Sequence, residues 1–439
     1  MPSRHMAITK ICVKGYKSIS NEQSVEIRPL TILAGANNSG KSSIMQPLLL
    51  LKQTLEATSD PGPLLIGGPN VSFTLVDQML SRIPGLASPT CFSVGLQLGD
   101  TGLSITFSKQ QGKGIDIESM SFSDKTETFD MRYGMSEDEI IKRVPEEYKI
   151  FSKRFKMREQ NIDMRWRVQR ERCFLSFQLG PRRKSLNEYR HAFYGVSPSR
   201  QFVNPIKDII HLPALRGNPK RTYQKASTGP DYPGTFEKYA ASIVADWHTK
   251  KDARQTDLGR ALKEMGLTWK AEARSVDDTQ IELRVARLVH PKAGSAYDLV
   301  SIADVGFGVS QSLPVIVALL CAEPGQLVYL EQPELHLHPK AQRKLARILR
   351  EATERGATVV AETHSELLLR GVQILVAQGK LDPKKVILHW FTRDPSTGST
   401  TVTSAELDDK GAYGKWPEDF DETALSSNKD YLDAVESRG

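Results

Sequence analysis

The sequence predicts an α/β fold: a mixed or parallel sheet flanked by helices, with an antiparallel β lobe and an inserted basic helical region. Three observations carry this reading. The apolar strand LTILA runs into GANNSGKSS (residues 35–43) and then into a Leu- and Gln-rich helix. From residue 309 onward the order is helix, strand (326–331), helix (340–354), strand (357–361), helix (365–377), strand (385–392), the alternation of a parallel sheet with covering helices. Residues 91–110 alternate around a Gly-Asp-Thr-Gly turn, the pattern of a β-hairpin.

Each element has a local reason. AITKICVKGYKSI and QSVEIRPLTILAG are rich in β-branched residues and broken by turn formers, so they read as strands. A helix follows from Lys41 to Ala57, and the 91–110 hairpin comes next. The stretch Ser136–Arg172 is charged and mostly helical in pattern, interrupted at Pro145. Strands near 174–179 and 207–212 enclose an arginine-rich connection, helices are expected at 235–248 and 256–265, and a strand at 279–289. This divides the chain into an N-terminal part of the core (1–135), a basic insertion (136–225), a C-terminal part of the core (226–394) and a tail (395–439). There is no internal repeat and no sustained heptad, so a long coiled-coil arm is not expected.

Composition narrows the class. Hydrophobic residues make up 39% and charged residues 25% of the 439, ordinary values for a globular protein. Cys12, Cys91, Cys173 and Cys321 form no CxxC or Cys/His cluster, which predicts a reducing, cytoplasmic setting without a zinc site. No apolar run is long enough to span a bilayer, so no membrane partner is expected. The net charge of +7 is segregated. Residues 140–225 hold 21 Lys/Arg and 7 Asp/Glu, a net +14, while the remainder holds 38 and 45, a net −7. Such a block is commonly a solvated face; segregation this strong also suits a polyanion, most simply a nucleic acid bound through 140–225.

The chemistry is assembled from distant pieces. GANNSGKSS fits G-x-x-x-x-G-K-[ST] between a strand and a helix, the context that separates a phosphate-binding loop from a chance Gly/Ser turn. Its glycines let backbone N–H groups surround phosphates, Lys41 reaches the β- and γ-phosphates, and Ser42 ligates Mg²⁺. LVYLEQPELHLHP (327–339) ends an apolar strand in Glu331, which places a carboxylate beside that Mg²⁺; an acid capping the next helix is the simpler alternative. VVAETHSELLLR (359–370) ends a third strand in Glu362-Thr363-His364-Ser365, where His364 would touch the γ-phosphate or orient water, and Thr363 or Ser365 would cap the following helix. ADVGFGVSQSLPVI (303–316) is a Gly-rich turn entering a helix, which suits a phosphate or is only a tight turn at Gly306 and Gly308. His336 and His338 beside Pro339 read as loop structure rather than a metal pair, and Arg216 as a phosphate or partner contact or a salt bridge.

In this order the motifs NNSGKSS, VGFGVSQ, EQPELHLHP and ETHSE resemble the ATP-binding-cassette (ABC) superfamily of ATPases, in particular the overcoming-lysogenisation-defect (OLD) group and the predicted ATPases beside it. ICVKGYKSI, HLPALRGNPKRTY and GKWPEDFDE extend the resemblance along the chain, least over 140–200. It implies an ABC-type head that binds ATP and Mg²⁺. Gly35, Asn37, Asn38, Ser39, Gly40, Lys41, Ser42 and Ser43 would cradle the nucleotide, with Ser42 and Glu331 on the metal. His364 would be the switch histidine. Gly306, Gly308, Ser310 and Gln311 would take the place of the signature, which in this superfamily closes on the nucleotide of another subunit. The expected unit is therefore a head-to-tail homodimer or an assembly of such dimers. Gln332 stands where the superfamily has its catalytic glutamate; an amide orients water and does not take its proton, and Glu334 is the alternative base, which together imply slow hydrolysis.

OLD-type nucleases carry a Toprim domain after the ATPase. Here about sixty residues follow the last helix and Asp408-Asp409 stands alone, so the chain is not expected to cut nucleic acid by itself. The resemblance to stand-alone relatives, such as the ATPases of the Septu and PARIS systems, implies a sensor or scaffold in bacterial anti-phage defence that holds and activates a separately encoded nuclease. The other class is a repair or chromosome-maintenance ATPase acting directly on DNA. A transporter ATPase fits less well, because VGFGVSQ departs from the transport signature.

Overall fold

The computed structural model describes residues 6–85, 89–112, 114–125, 128–144, 164–181, 194–227, 229, 231–289 and 298–414. Its centre is a six-stranded sheet in the spatial order Ile210–Leu212, Leu327–Glu331, Thr358–Thr363, Leu30–Gly35, Val386–Arg393, Thr400–Ala405. The first five strands run parallel and the last pairs antiparallel with its neighbour. Leu30–Gly35 and Thr358–Thr363 are buried along their whole length, which is why they read as continuous apolar runs.

Side-chain alternation divides this sheet between two cores. Leu30, Ile32, Val328, Leu330, Val359 and Ala361 face one core, which is closed by the helices Ala240–Lys250, Arg254–Met265, Phe307–Cys321, Pro339–Glu354 and Glu366–Ala377. Leu33, Tyr329, Val360 and Phe391 face the other, against the helix Lys41–Glu56. Because the strand period is two, Glu331 follows Tyr329 and Glu362 follows Val360 onto that second face. Both acids therefore lie on the face of the sheet that the helix Lys41–Glu56 covers.

The second core also holds the β lobe, a six-stranded antiparallel sheet in the order Gln23–Glu26, Lys10–Lys14, Cys91–Leu98, Thr101–Gln110, Gly114–Ser123, Thr128–Met131. The expected hairpin is present, with Leu98 opposite Thr101 and Gly99 at φ 57° in the turn. A smaller sheet (Tyr223–Gln224, Ala271–Ser275, Gln280–Ala286, Leu299–Ser301) lies against the first core.

The basic insertion is where the expectation is corrected. Helix occupies Glu137–Arg143 and Arg200–Lys207, but Met164–Glu171 and Tyr194–Val196 are strands, and they flank the expected strand near 174–179 (Phe174–Pro181) in a three-stranded antiparallel sheet. In MRWRVQRE the residues alternate, with Trp166 buried and Arg165 exposed, a period of two that the high charge obscures. The expected break at Pro145 and the arginines at 182, 183 and 190 lie outside the described residues. Two boundaries also move: Ile210–Leu212, inside the 136–225 span, is an edge strand of the central sheet, and Thr400–Ala405, inside the expected tail, is the other edge.

Candidate functional site

The carboxyl ends of the central strands converge on one cavity of about 670 Å³. The loop after Leu30–Gly35 needs its glycines. Gly35 has φ 145°, and a Cβ there would run into the carbonyl oxygen of Phe391; Gly40 has φ 96°, and a Cβ would meet the hydroxyls of Thr400 and Ser18. Asn38 adopts φ 61°, a conformation asparagine tolerates better than most residues. Asn37, Asn38, Ser39, Gly40, Lys41, Ser42 and Ser43 line the cavity, together with Gln332, Glu362 and His364.

Lys41 is buried and donates to the carbonyls of Gly35 (3.1 Å) and Ala36 (2.8 Å). Burial lowers its pKa, and the nearby charges of Glu362 and Glu334 oppose that shift. Ser42 Oγ donates to Glu362 Oε1 (2.9 Å), and Tyr329 Oη donates to the other oxygen, Glu362 Oε2 (2.8 Å). Burial raises the Glu362 carboxyl above the usual range, and the charge of Glu331 adds to this. His364 lies below the ordinary histidine value because of burial and the charge of Lys41, so its imidazole is neutral at pH 7. Gln332 sits at φ 43°, its N–H bonded to the Glu362 carbonyl (2.8 Å).

The other predicted site residues are placed elsewhere. Glu331 does not line the cavity: its oxygens accept from His211 Nε2 (3.1 Å) and from the N–H of Ala214 (3.2 Å). Burial alone would raise its pKa; the His211 bond, the Ala214 bond and the charge of Arg216 outweigh it, and the carboxyl lies below its ordinary value. Glu334 is also buried outside the lining. Its Oε1 accepts from Thr363 Oγ1 (2.6 Å) and the His364 N–H (3.1 Å), while Oε2 has no partner. Glu334 thus braces the loop that carries His364.

Gly308, Ser310 and Gln311 stand apart from the Lys41 cavity, on the first turn of the helix Phe307–Cys321. Ser310 Oγ donates to the Phe307 carbonyl (3.0 Å), and Gln311 Nε2 donates to the Gly217 carbonyl (2.9 Å). Arg216 donates to the carbonyls of Glu331 (2.8 Å) and Gln332 (3.2 Å), fastening that turn to its own loop. His338 caps the helix Pro339–Glu354 and the His336 ring packs near Phe307 (5.5 Å), both loop roles.

The oxygen donors beside Lys41 suit a hard cation. Ser42, Glu362 and Gln332 offer a hydroxyl, a carboxylate and an amide, and no cluster of three or more His, Cys, Asp or Glu exists among the described residues. That is the pattern of Mg²⁺ held by one or two protein oxygens with phosphates and water completing the shell, not of a protein cage. The basic insertion is less free than its composition suggests. Arg170 forms a bidentate pair with Asp60 (2.9 and 2.6 Å), and Arg172 donates to the carbonyls of Thr54 (3.0 Å) and Ala57 (2.9 Å) at the end of the phosphate-loop helix.

Residues that sequence reasoning passed over are His211, Asn70 and Tyr329, and Glu362 as a site acid. Glu362 had a signal: it ends the strand Thr358–Thr363 at the position paired with Glu331. Asn70 lies far from any motif and had none.

Two family models match the chain. One, an AAA ATPase domain, covers residues 6–176; the other, described as "AAA domain, putative AbiEii toxin, Type IV TA system", covers 246–370. No curated protein matches in sequence. Among solved structures the chain is similar to the SmcHead bound to the C-winged helix domain of ScpA, at 13% identity and TM-score 0.45, covering 92% of this chain and 98% of that one. It is also similar to a Smc head domain with a coiled coil and joint from Pyrococcus yayanosii, at 9% identity and TM-score 0.46, with the same coverage. The SMC head domain from Thermotoga maritima matches at 12% identity and TM-score 0.38, covering 92% of this chain and all of that one. The molecule is a mixed α/β fold whose AAA-type ATPase matches carry three adjacent strands of the central sheet, Leu327–Glu331, Thr358–Thr363 and Leu30–Gly35. Among the described residues no helix is long and apolar enough to cross a membrane.

Proposed function

We propose that this protein is an ATP-binding, slowly hydrolysing ABC-type ATPase. The observation that carries the proposal is the strand–loop–helix at 30–56, whose loop lines a cavity with Lys41, Ser42 and His364. Backbone N–H groups and Lys41 would hold the phosphates, and Ser42 with the neighbouring strand-end oxygens would hold Mg²⁺, which supplies charge neutralisation at the phosphates. Slow turnover follows from the amide Gln332 in the cavity and from Glu334 lying outside it. Gly308, Ser310 and Gln311, at a helix start away from their own chain's cavity, would serve a second copy in a head-to-tail dimer. The AbiEii description over 246–370 and the resemblance to defence ATPases support a cytoplasmic role in anti-phage defence, in which the dimer holds and releases a separately encoded nuclease effector.

Lys41→Ala tests the nucleotide site. It removes the ammonium from the β/γ-phosphate position and should abolish ATP binding by titration calorimetry. Wild-type affinity in this variant would sink the assignment. Co-purification of a nuclease with the native chain, released or activated on adding ATP, tests the effector role; a chain that stays alone under both conditions would remove it.

A further inference from the structure

Two carboxylates end adjacent strands on the same face of the sheet, and the fold treats them differently. Glu362 ends the strand next to Leu30–Gly35, and Glu331 ends the strand one place further out. Neighbouring strands lie about 4.8 Å apart, so Glu362 starts nearer the phosphate-loop helix. Ser42 Oγ reaches it at 2.9 Å, and buried Tyr329 fixes its second oxygen at 2.8 Å, leaving the carboxylate against the cavity.

Glu331 is held back by a built relay. Asn70 Nδ2 donates to the Gly234 carbonyl (3.0 Å) and to His211 Nδ1 (3.0 Å). The carbonyl fixes the amide orientation, so Nδ1 accepts and Nε2 carries the proton that is donated to Glu331 (3.1 Å). The His211 ring stacks on Tyr329, centroids 5.4 Å apart at 13°, so one wall separates the two acids. Both acids are hydrogen-bonded at each oxygen, but Glu362 is bonded to Ser42 and lines the cavity with it, whereas the partners of Glu331, His211 and Ala214, lie outside the lining.

We infer that Glu362, rather than Glu331, is the carboxylate that shares the nucleotide's divalent cation with Ser42, and that Glu331 is a positioning residue held by His211. The inference rests on the nucleotide reading above. Its test separates the two. ATP affinity is measured by calorimetry in EDTA and in Mg²⁺, and Mn²⁺ binding to the ATP complex by electron paramagnetic resonance, for wild type, Glu362→Gln, Glu362→Asp and Glu331→Gln. Glu362→Gln should bind ATP in EDTA as wild type does and lose about tenfold to a hundredfold in Mn²⁺ affinity. Glu362→Asp, which keeps a carboxylate beside Ser42, should recover part of that loss and reads out even if the amide variant folds poorly. Glu331→Gln should keep its Mn²⁺ signal and melt at a lower temperature. A full Mn²⁺ signal in Glu362→Gln, or its loss in Glu331→Gln, overturns the assignment. Absence of ATP binding by wild type in both buffers would instead bring down the nucleotide reading, and this inference with it.

Discussion

His211→Ala removes the centre of the relay between Asn70 and Glu331. The side chain is buried, so its loss leaves a void against Tyr329 and takes away two hydrogen bonds. The bond to Glu331 joins a carboxylate, and such bonds contribute about 1.5–3 kcal/mol. With the lost packing, the destabilisation comes to about 3 kcal/mol at neutral pH. At roughly 2 cal/mol/K per residue, a chain of 439 residues melts with an entropy near 0.9 kcal/mol/K, so the melting temperature should fall by about 3 °C. The pH dependence gives the sharper reading. Glu331 is depressed in the folded state, so its contribution is present above the unfolded carboxyl value of 4.5 and is lost as pH falls through the folded value. The gap between wild type and variant should be full at pH 7 and narrow below pH 4.5. His211→Gln, whose amide can still donate to Glu331, should recover part of it. Calorimetric melts of the three proteins across pH 4–8 provide the check. Equal melting of wild type and His211→Ala at pH 7, or a gap that does not change with pH, would refute the reasoning.

Two further outcomes are expected. Gly306 has an ordinary φ and no atom within 4 Å of the place a Cβ would take, whereas Ser310 is packed and bonded, so Gly306→Arg is the cleaner probe of the signature face. It should leave ATP binding by the monomer intact and abolish ATP-driven dimers in light scattering; normal dimers and turnover would remove the composite site. Glu334→Gln keeps an acceptor for Thr363 and His364, whereas Glu334→Ala leaves both donors unpaired and should cost about 1–3 kcal/mol. Because burial raises Glu334 in the folded state, ionising it costs stability as pH rises above the unfolded carboxyl value of 4.5, so Glu334→Gln should gain on wild type in melting curves as pH rises from there. Its slow hydrolysis should persist; loss of turnover with ATP still bound would make Glu334 the base.

The parts legible in the sequence were those with a period. The buried strands 327–331 and 358–363 and the helices between them stand out because both faces of the sheet are covered and each strand carries an apolar run, Leu327–Leu330 and Val359–Ala361. The phosphate loop was legible because glycine is required at Gly35 and Gly40 by close neighbours, which leaves a fixed spacing in the chain. Met164–Glu171 was misread because four of its eight residues are charged, and a charge-rich segment hides a period of two. The place of Glu331 depends on His211, 120 residues away, and on Asn70, a further 141 from that histidine. Such contacts arise from the packing of three distant segments and leave no spacing to read. The same holds for Arg170 and Arg172, whose charge pointed outward to a polyanion while their guanidiniums turn inward to Asp60 and to a helix end.

That last contact makes the phosphate-loop helix a strut with a fitting at each end. One end opens at Gly40 on the cavity; the other is gripped by Arg172, itself strained at φ 54°. Tension applied to the three-stranded sheet would therefore have a path to the cavity along sixteen residues of helix, beside the core that the two sheets share. Thermodynamic reciprocity then fixes the converse: any free energy that a ligand in the cavity exerts on that helix would be returned, in equal measure, to the lobe that holds its far end.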